Sequence, residues 1–165
     1  AALLASPKIR DEHAAVVRGI RARLSELGLE LEVPGPRLRR LAEAQHVETP
    51  LAGPRGGHGL WSLVERLHPT PALGGEPQGP AQRWLEDHEP VERGWFGAPL
   101  GWVDRAGDGE AWVAIRGALL DGPTAWAYAG AGVVAGSDPA AEWDETELKL
   151  TAVTNALEAA RVEDS

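Results

Sequence analysis

Apolar positions recur at helical spacing near the start of the chain. Val16, Val17, Ile20, Leu24 and Leu27 fall on one side of a helix predicted from about 7 to 27. Ser6 stands as its N-cap with Pro7 at the first helical position, and Gly28 is placed to end it. From Leu29 to Val33 apolar and acidic residues alternate, which predicts a strand; the Pro34-Gly35-Pro36 break then leads into a short basic helix from about Arg37 to Gln45. His46 to Pro50 reads as another short strand. Leu60 to Leu67 and Gln78 to Asp87 predict two further helices, the second with Ala81, Trp84 and Leu85 on its buried side. Three strand-like runs follow: Gly94 to Val103, Glu110 to Leu119 and Thr124 to Val134. The first two are joined by a hairpin signal from Asp104 to Gly109. A last helix opens at Asp138, an N-cap with Pro139 at the first helical position, and the tail Arg161 to Ser165 is expected to fray.

Several interruptions of this pattern carry chemistry. His68 to Gly75 holds two prolines and two glycines in eight residues, an irregular turn that is either structural or a rigid substrate-lining loop. The loop from Leu51 to Gly57 contains Gly56-Gly57 but lacks the Lys-Ser/Thr of a phosphate loop, which excludes it as a nucleotide site. Arg37, Arg39 and Arg40 read as a solvated basic face. In the second strand-like run Trp112, Ala114 and Arg116 share one face. A mid-strand arginine needs a carboxylate, and the pattern leaves open whether a structural neighbour or a ligand supplies it.

The densest chemistry lies from Gly130 to Lys149. Gly130 and Gly132 strip side chains from the backbone just before the last helix, so a ligand can approach main-chain N–H groups. Within the helix Glu142, Glu145 and Lys149 are spaced i, i+3, i+7 and share one face. That face is either solvated, or a place where carboxylates hold a hard divalent cation through oxygen while Lys149 meets an anionic substrate. Glu12-His13, in the second turn of the first helix, reads from the residues alone as an exposed acid beside a surface or capping histidine.

Composition narrows the partners. The chain has 165 residues, 43% of them hydrophobic, about one domain by length. Its net charge of −9 and pI near 5.0, with basic residues interleaved among acids, argue against nucleic acid or an anionic membrane surface. Cysteine is absent, which excludes a disulfide frame and thiolate metal sites and fits a reducing compartment. No apolar run approaches a membrane span and no signal peptide is visible, so a cytoplasmic protein is expected. The seven tryptophans are expected to build core. Methionine is also absent, even at position 1, and the chain reads as a piece of something longer.

Four ordered stretches carry a resemblance: Leu67 to Leu73; Arg93-Gly94-Trp95-Phe96-Gly97-Ala98-Pro99-Leu100-Gly101-Trp102; Val113-Ala114-Ile115-Arg116; and Gly130 to Lys149. Together they resemble the C-terminal part of a chorismate-binding enzyme and, within that family, the isochorismate synthases of menaquinone or catecholate siderophore synthesis. Ser6 to Val17, with Glu12-His13, and Gln45 to Pro50 fit the same pattern, so nearly the whole chain is covered. Relatives in that family include anthranilate synthase component I, aminodeoxychorismate synthase and salicylate synthase, and His68-Pro69-Thr70-Pro71-Ala72-Leu73 favours isochorismate synthase over the amination enzymes.

The resemblance implies an α+β fold in which antiparallel sheets form a sandwich with outer helices. Residues 1–165 would supply the C-terminal part of that single catalytic domain, with the remainder of the parent chain as its partner. It implies a magnesium-dependent (Mg2+) interconversion of chorismate and isochorismate, with water added to the ring and a hydroxyl lost at another carbon. Glu12 and Glu145 would be magnesium ligands with Glu142 adjacent, and Lys149 would assist. Arg116 and the backbone at Gly130 would hold the enolpyruvyl carboxylate, while Ala72, Leu73, Phe96, Ile115 and Tyr128 would shape the pocket. Phe96 stands where some relatives place a tyrosine that bonds the substrate, so that contact is lost here. The family's general-base lysine and general-acid glutamate lie upstream of the matched segment, and Lys8 is not the base. Residues 1–165 alone are therefore expected to give no turnover. A non-catalytic binding module of the same fold is the alternative from a different class.

Overall fold

The computed structural model describes residues 2–40 and 45–163, with side chains from 4 to 40 and from 45 to 161. Its elements run, in order, α1 (Ala2–Ala5), α2 (Pro7–Ser25), β1 (Arg37–Arg40), β2 (Gln45–Glu48), α3 (Leu60–Leu67), α4 (Pro71–Gly74), α5 (Gln78–His88), β3 (Pro99–Val103), β4 (Gly109–Val113), β5 (Ala118–Asp121), β6 (Thr124–Ala127) and α6 (Pro139–Glu163). The strands pair as three two-stranded sheets, β1-β2, β3-β4 and β5-β6. The chain clusters into two compact units, Ala1–Glu89 with Gly101–Ala111, and Pro90–Leu100 with Trp112–Ser165.

In the first unit α2 is the central element. Its N-cap forms as the sequence predicts, Ser6 Oγ accepting from Ile9 N at 3.5 Å, and Gly28 takes a φ of 71° just beyond its end, where a Cβ would be strained. Leu24 and Leu29 are buried on either side of that turn. Gly19 faces α4 so closely that a Cβ there would lie 2.6 Å from Pro71 Cγ. The helix tolerates the entropic cost of glycine because only glycine admits this approach.

Two expectations in this unit are corrected. Leu29 to Val33 is not a strand; only Glu32 pairs, with Ala52, through bonds of 2.7 and 3.1 Å. The prolines at Pro34, Pro36, Pro50 and Pro54 remove the donors a longer ladder would need. The basic stretch from Arg37 is a strand, not a helix, over its described part, and residues 41–44 lie outside the described residues. Cross-strand pairing decides this. β1 runs antiparallel to β2, and the Glu48 carboxylate accepts from Arg37 Nε and Arg39 Nη1, each at 2.9 Å. The two arginines hold Glu48 below the ordinary carboxylate range, chiefly through the Arg37 and then the Arg39 hydrogen bond.

The hairpin turn between β3 and β4 follows the sequence signal. Asp104 Oδ1 accepts from Ala106 N at 2.8 Å and from Asp108 N at 3.0 Å, the local bonding that makes aspartate a turn former. The run Glu110 to Leu119 is broken into β4 and β5. Arg116 adopts a φ of 61°, a left-handed conformation that cannot continue a ladder, so the arginine expected in mid-strand sits at a corner. The third run is a strand only to Ala127; Gly130 and Gly132 give the following stretch little strand propensity. α6 continues to Glu163, past the point where fraying was expected, and its inner face buries Val153.

The expectation that tryptophans build core is also corrected. All seven are exposed, from 43% for Trp61 to 76% for Trp95. Trp84, expected on the buried side of α5, instead stacks on His88 one turn away, ring centroids 4.4 Å apart. The exposed area is 11864 Å². A compact protein of 17.5 kDa exposes roughly 7,900 Å², and two separate compact bodies sharing this mass roughly 9,500 Å². The exposed surface includes large apolar side chains besides the tryptophans, among them Leu120, Val133 and Leu148. Among the described residues no helix is long and apolar enough to cross a membrane.

Candidate active site

In the second unit Gly130, Glu142, Glu145 and Lys149 lie where the stretch after β6 meets the start of α6. Asp138 caps α6, its Oδ1 accepting from Ala140 N at 2.8 Å and Ala141 N at 3.4 Å. The cap and Pro139 set the helix phase, and the phase places Glu142, Glu145 and Lys149 on one side as predicted. Glu142 is buried, at 8% exposure. Lys149 Nζ lies 2.6 Å from Glu145 Oε1 and donates to Gly130 O at 2.8 Å, so one ammonium ties the helix to the glycine-rich stretch. Its side chain is 22% exposed, and that of Glu145 43%.

Nearby in the chain order, Phe96 and Tyr128 stack with ring centroids 5.7 Å apart and an interplanar angle of 21°. Two residues expected in one pocket are thus in contact. Ile115 and Arg116 are exposed at the corner after β4. Among the described residues no carboxylate lies within ion-pair distance of Arg116, so of the two partners the sequence left open, no structural neighbour takes the role.

The remaining predicted residues belong to the first unit. Glu12 lies on α2, 3.5 Å from Lys8 Nζ one turn before it. His13 Nε2 shares a 2.8 Å hydrogen bond with Thr49 Oγ1, and burial lowers its pKa from the ordinary histidine value. Ala72 and Leu73 sit on the single turn of α4. Reading by periodicity missed Arg23 of α2. It is buried, at 7% exposure, and Nη1 donates to Leu67 O at 2.7 Å and Pro69 O at 2.6 Å. The available signal was its phase: Gly19 and Arg23 follow Glu12 by 7 and 11 residues, and each falls within about 20° of it around the helix.

The donor set fits magnesium in kind. Glu142 and Glu145 offer hard carboxylate oxygens one turn apart, with no thiolate or imidazole among them, which is the ligand type magnesium prefers. Two carboxylates leave most of an octahedral shell to water, substrate or other residues. Among the described residues no group of three or more histidine, aspartate or glutamate side chains converges.

A salicylate biosynthesis isochorismate synthase of Pseudomonas aeruginosa is 46% identical over 160 residues, covering 96% of this chain and 34% of its own length. The isochorismate synthase MenF of Bacillus subtilis is 43% identical over 157 residues, 94% of this chain and 33% of its own. A crystal structure from Bacillus anthracis, assigned as a 2,3-dihydroxybenzoate-specific isochorismate synthase, DhbC, superposes with a TM-score of 0.87 at 38% identity, covering 94% of this chain and 42% of that one. The chain thus spans about a third of the length of the curated relatives it matches, and it carries part of the chorismate-binding fold. The same glycine-rich stretch, acidic helix and corner arginine fall inside the segment, residues 1–158, that matches the family model for chorismate binding enzymes, and the chain belongs to that family.

Proposed function

We propose that the protein carrying this chain is an isochorismate synthase, a magnesium-dependent isomerase interconverting chorismate and isochorismate. What carries the reading is the ammonium of Lys149 held between Glu145 and the Gly130 carbonyl, a fixed cation beside carboxylates at a side-chain-free stretch of backbone. Chorismate is a dicarboxylate on a small ring. A site for it needs fixed cations at two places and an apolar wall for the ring.

In this reading the family pattern makes Glu12 and Glu145 the residues that would hold magnesium, with Glu142 adjacent. Magnesium held there would supply a positive charge that offsets these acids and favours the ring carboxylate of the substrate. Lys149 adds a second positive charge on the same side. Arg116, exposed and without a structural carboxylate among the described residues, takes the enolpyruvyl carboxylate, with a planar fork suited to bidentate binding. The Phe96–Tyr128 stack would offer the ring an apolar wall, and the family pattern adds Ile115, Ala72 and Leu73 to that role. The water that adds, and the hydroxyl that leaves, are activated by a base and an acid outside residues 1–165.

The test is chorismate turnover with magnesium by the product of the complete reading frame that contains this chain, followed by product chromatography with and without ammonia. Isochorismate supports the reading. Salicylate, or anthranilate or aminodeoxychorismate formed only with ammonia, assigns the protein to another chorismate user. A folded protein that yields no product is a binding module.

A further inference from the structure

We propose that Arg23 is a positioning residue, which holds the substrate-lining turn against the helix carrying Glu12. The inference rests on the reading of Ala72 and Leu73 as pocket residues. α4 is a single turn of four residues and has no stability of its own, so its place is set by whatever holds its two ends. Arg23 holds both. Its Nη1 donates to the carbonyls of Leu67 and Pro69 before the turn, at 2.7 and 2.6 Å, and its Nη2 lies 3.9 Å from Glu76 Oε2 after it. A guanidinium reaches acceptors in several directions at once; a lysine ammonium at the end of a flexible stem does not reproduce that fork.

One turn earlier on the same face, Gly19 lets Pro71 sit directly on α2. Glu12 lies on this face as well, about 16 Å along the helix from Arg23. α2 is therefore a strut with a proposed metal ligand at one end and the pin of the substrate-lining turn at the other. A further brace fixes the pin, because Arg66 of α3 donates to Arg23 O at 3.3 Å and pairs with Glu26. The role is positional, since Arg23 is buried and its hydrogen bonds go to backbone.

The experiment uses the product of the complete reading frame containing this chain, with chorismate and magnesium as probes. Arg23→Ala is expected to raise KM for chorismate on the order of tenfold or more with a smaller fall in kcat, since small misplacements of positioning groups are costly. Added guanidinium ion should restore much of the lost KM by refilling the site. Arg23→Lys should lie between the two, and Gly19→Ala should raise KM without any change at Arg23. If Arg23→Ala does not fold, Arg23→Lys and Gly19→Ala carry the test. Variants that melt at lower temperature but keep the parental KM overturn the inference and leave the reading of the site standing. An unsubstituted protein that does not turn over chorismate overturns both.

Discussion

Replacing Glu145 with alanine separates a small structural effect from a large functional one. The carboxylate is 43% exposed and is paired with Lys149 at 2.6 Å. Exposed i, i+4 pairs contribute about 0.3–0.5 kcal/mol, and solvent screening at this exposure keeps the cost of losing the pair below roughly 1 kcal/mol. For a protein of roughly 150–250 residues that lowers the melting temperature by only about 2–4 °C, and by less in a longer chain. Loss of a magnesium ligand acts on a different scale. A hundredfold fall in turnover corresponds to about 2.7 kcal/mol of transition-state stabilisation, several times the structural loss. The assay is a magnesium titration of chorismate turnover beside a thermal melt, on the product of the complete reading frame with and without Glu145→Ala. The expected result is turnover reduced at least on the order of a hundredfold, a weaker magnesium dependence and a nearly unchanged melt. An active Glu145→Ala protein with the parental magnesium dependence would refute the metal assignment while leaving family membership intact.

Other outcomes follow from the same structure. Asp138→Ala removes the acceptor for Ala140 N and Ala141 N and should destabilise α6 by about 1 kcal/mol, read by thermal or denaturant unfolding; Asp138→Asn keeps an acceptor and should avoid most of that loss. Glu48 has its pKa depressed in the folded state, so the stability it contributes is present above the unfolded value of roughly 4.3 and is lost as pH falls through the lower folded one. The pH dependence of β1-β2 unfolding should therefore flatten across that window in Glu48→Gln, and an unaltered profile would count against the Arg37–Glu48–Arg39 clamp. Acrylamide should quench the tryptophan emission of the 165-residue chain nearly as it quenches free tryptophan, since all seven indoles are exposed; a protected, blue-shifted emission would contradict the structure.

Local elements were legible where a cap or a turn residue specifies the backbone without help from elsewhere. Ser6-Pro7 and Gly28 bound α2, Asp138-Pro139 starts α6, and Asp104 folds the β3-β4 turn, because each acts through bonds a few residues away. The one-sided acidic face of α6 was legible for the same reason, since helical phase follows from the start point. Partner choice was not. Arg37 to Arg40 carries a helical composition and becomes a strand because Glu48, nine to eleven residues on, offers a carboxylate across the hairpin. Arg116 looked like a strand residue because periodicity is blind to a left-handed corner.

The site divides along the same line. Local chemistry alone marked Glu142, Glu145 and Lys149 as a group and the glycines before them as a ligand approach. Only the folded chain joined Lys149 to Gly130, brought Phe96 against Tyr128 across 32 positions of sequence, and buried Arg23 against carbonyls 44 and 46 residues away. It also left every tryptophan in solvent, where hydrophobicity argued for a core. Burial needs a second surface to bury against, and among the described residues none covers these indoles. Phase, caps and turns are short-range and written in neighbouring residues; contact and burial depend on what the rest of the chain brings to the same place.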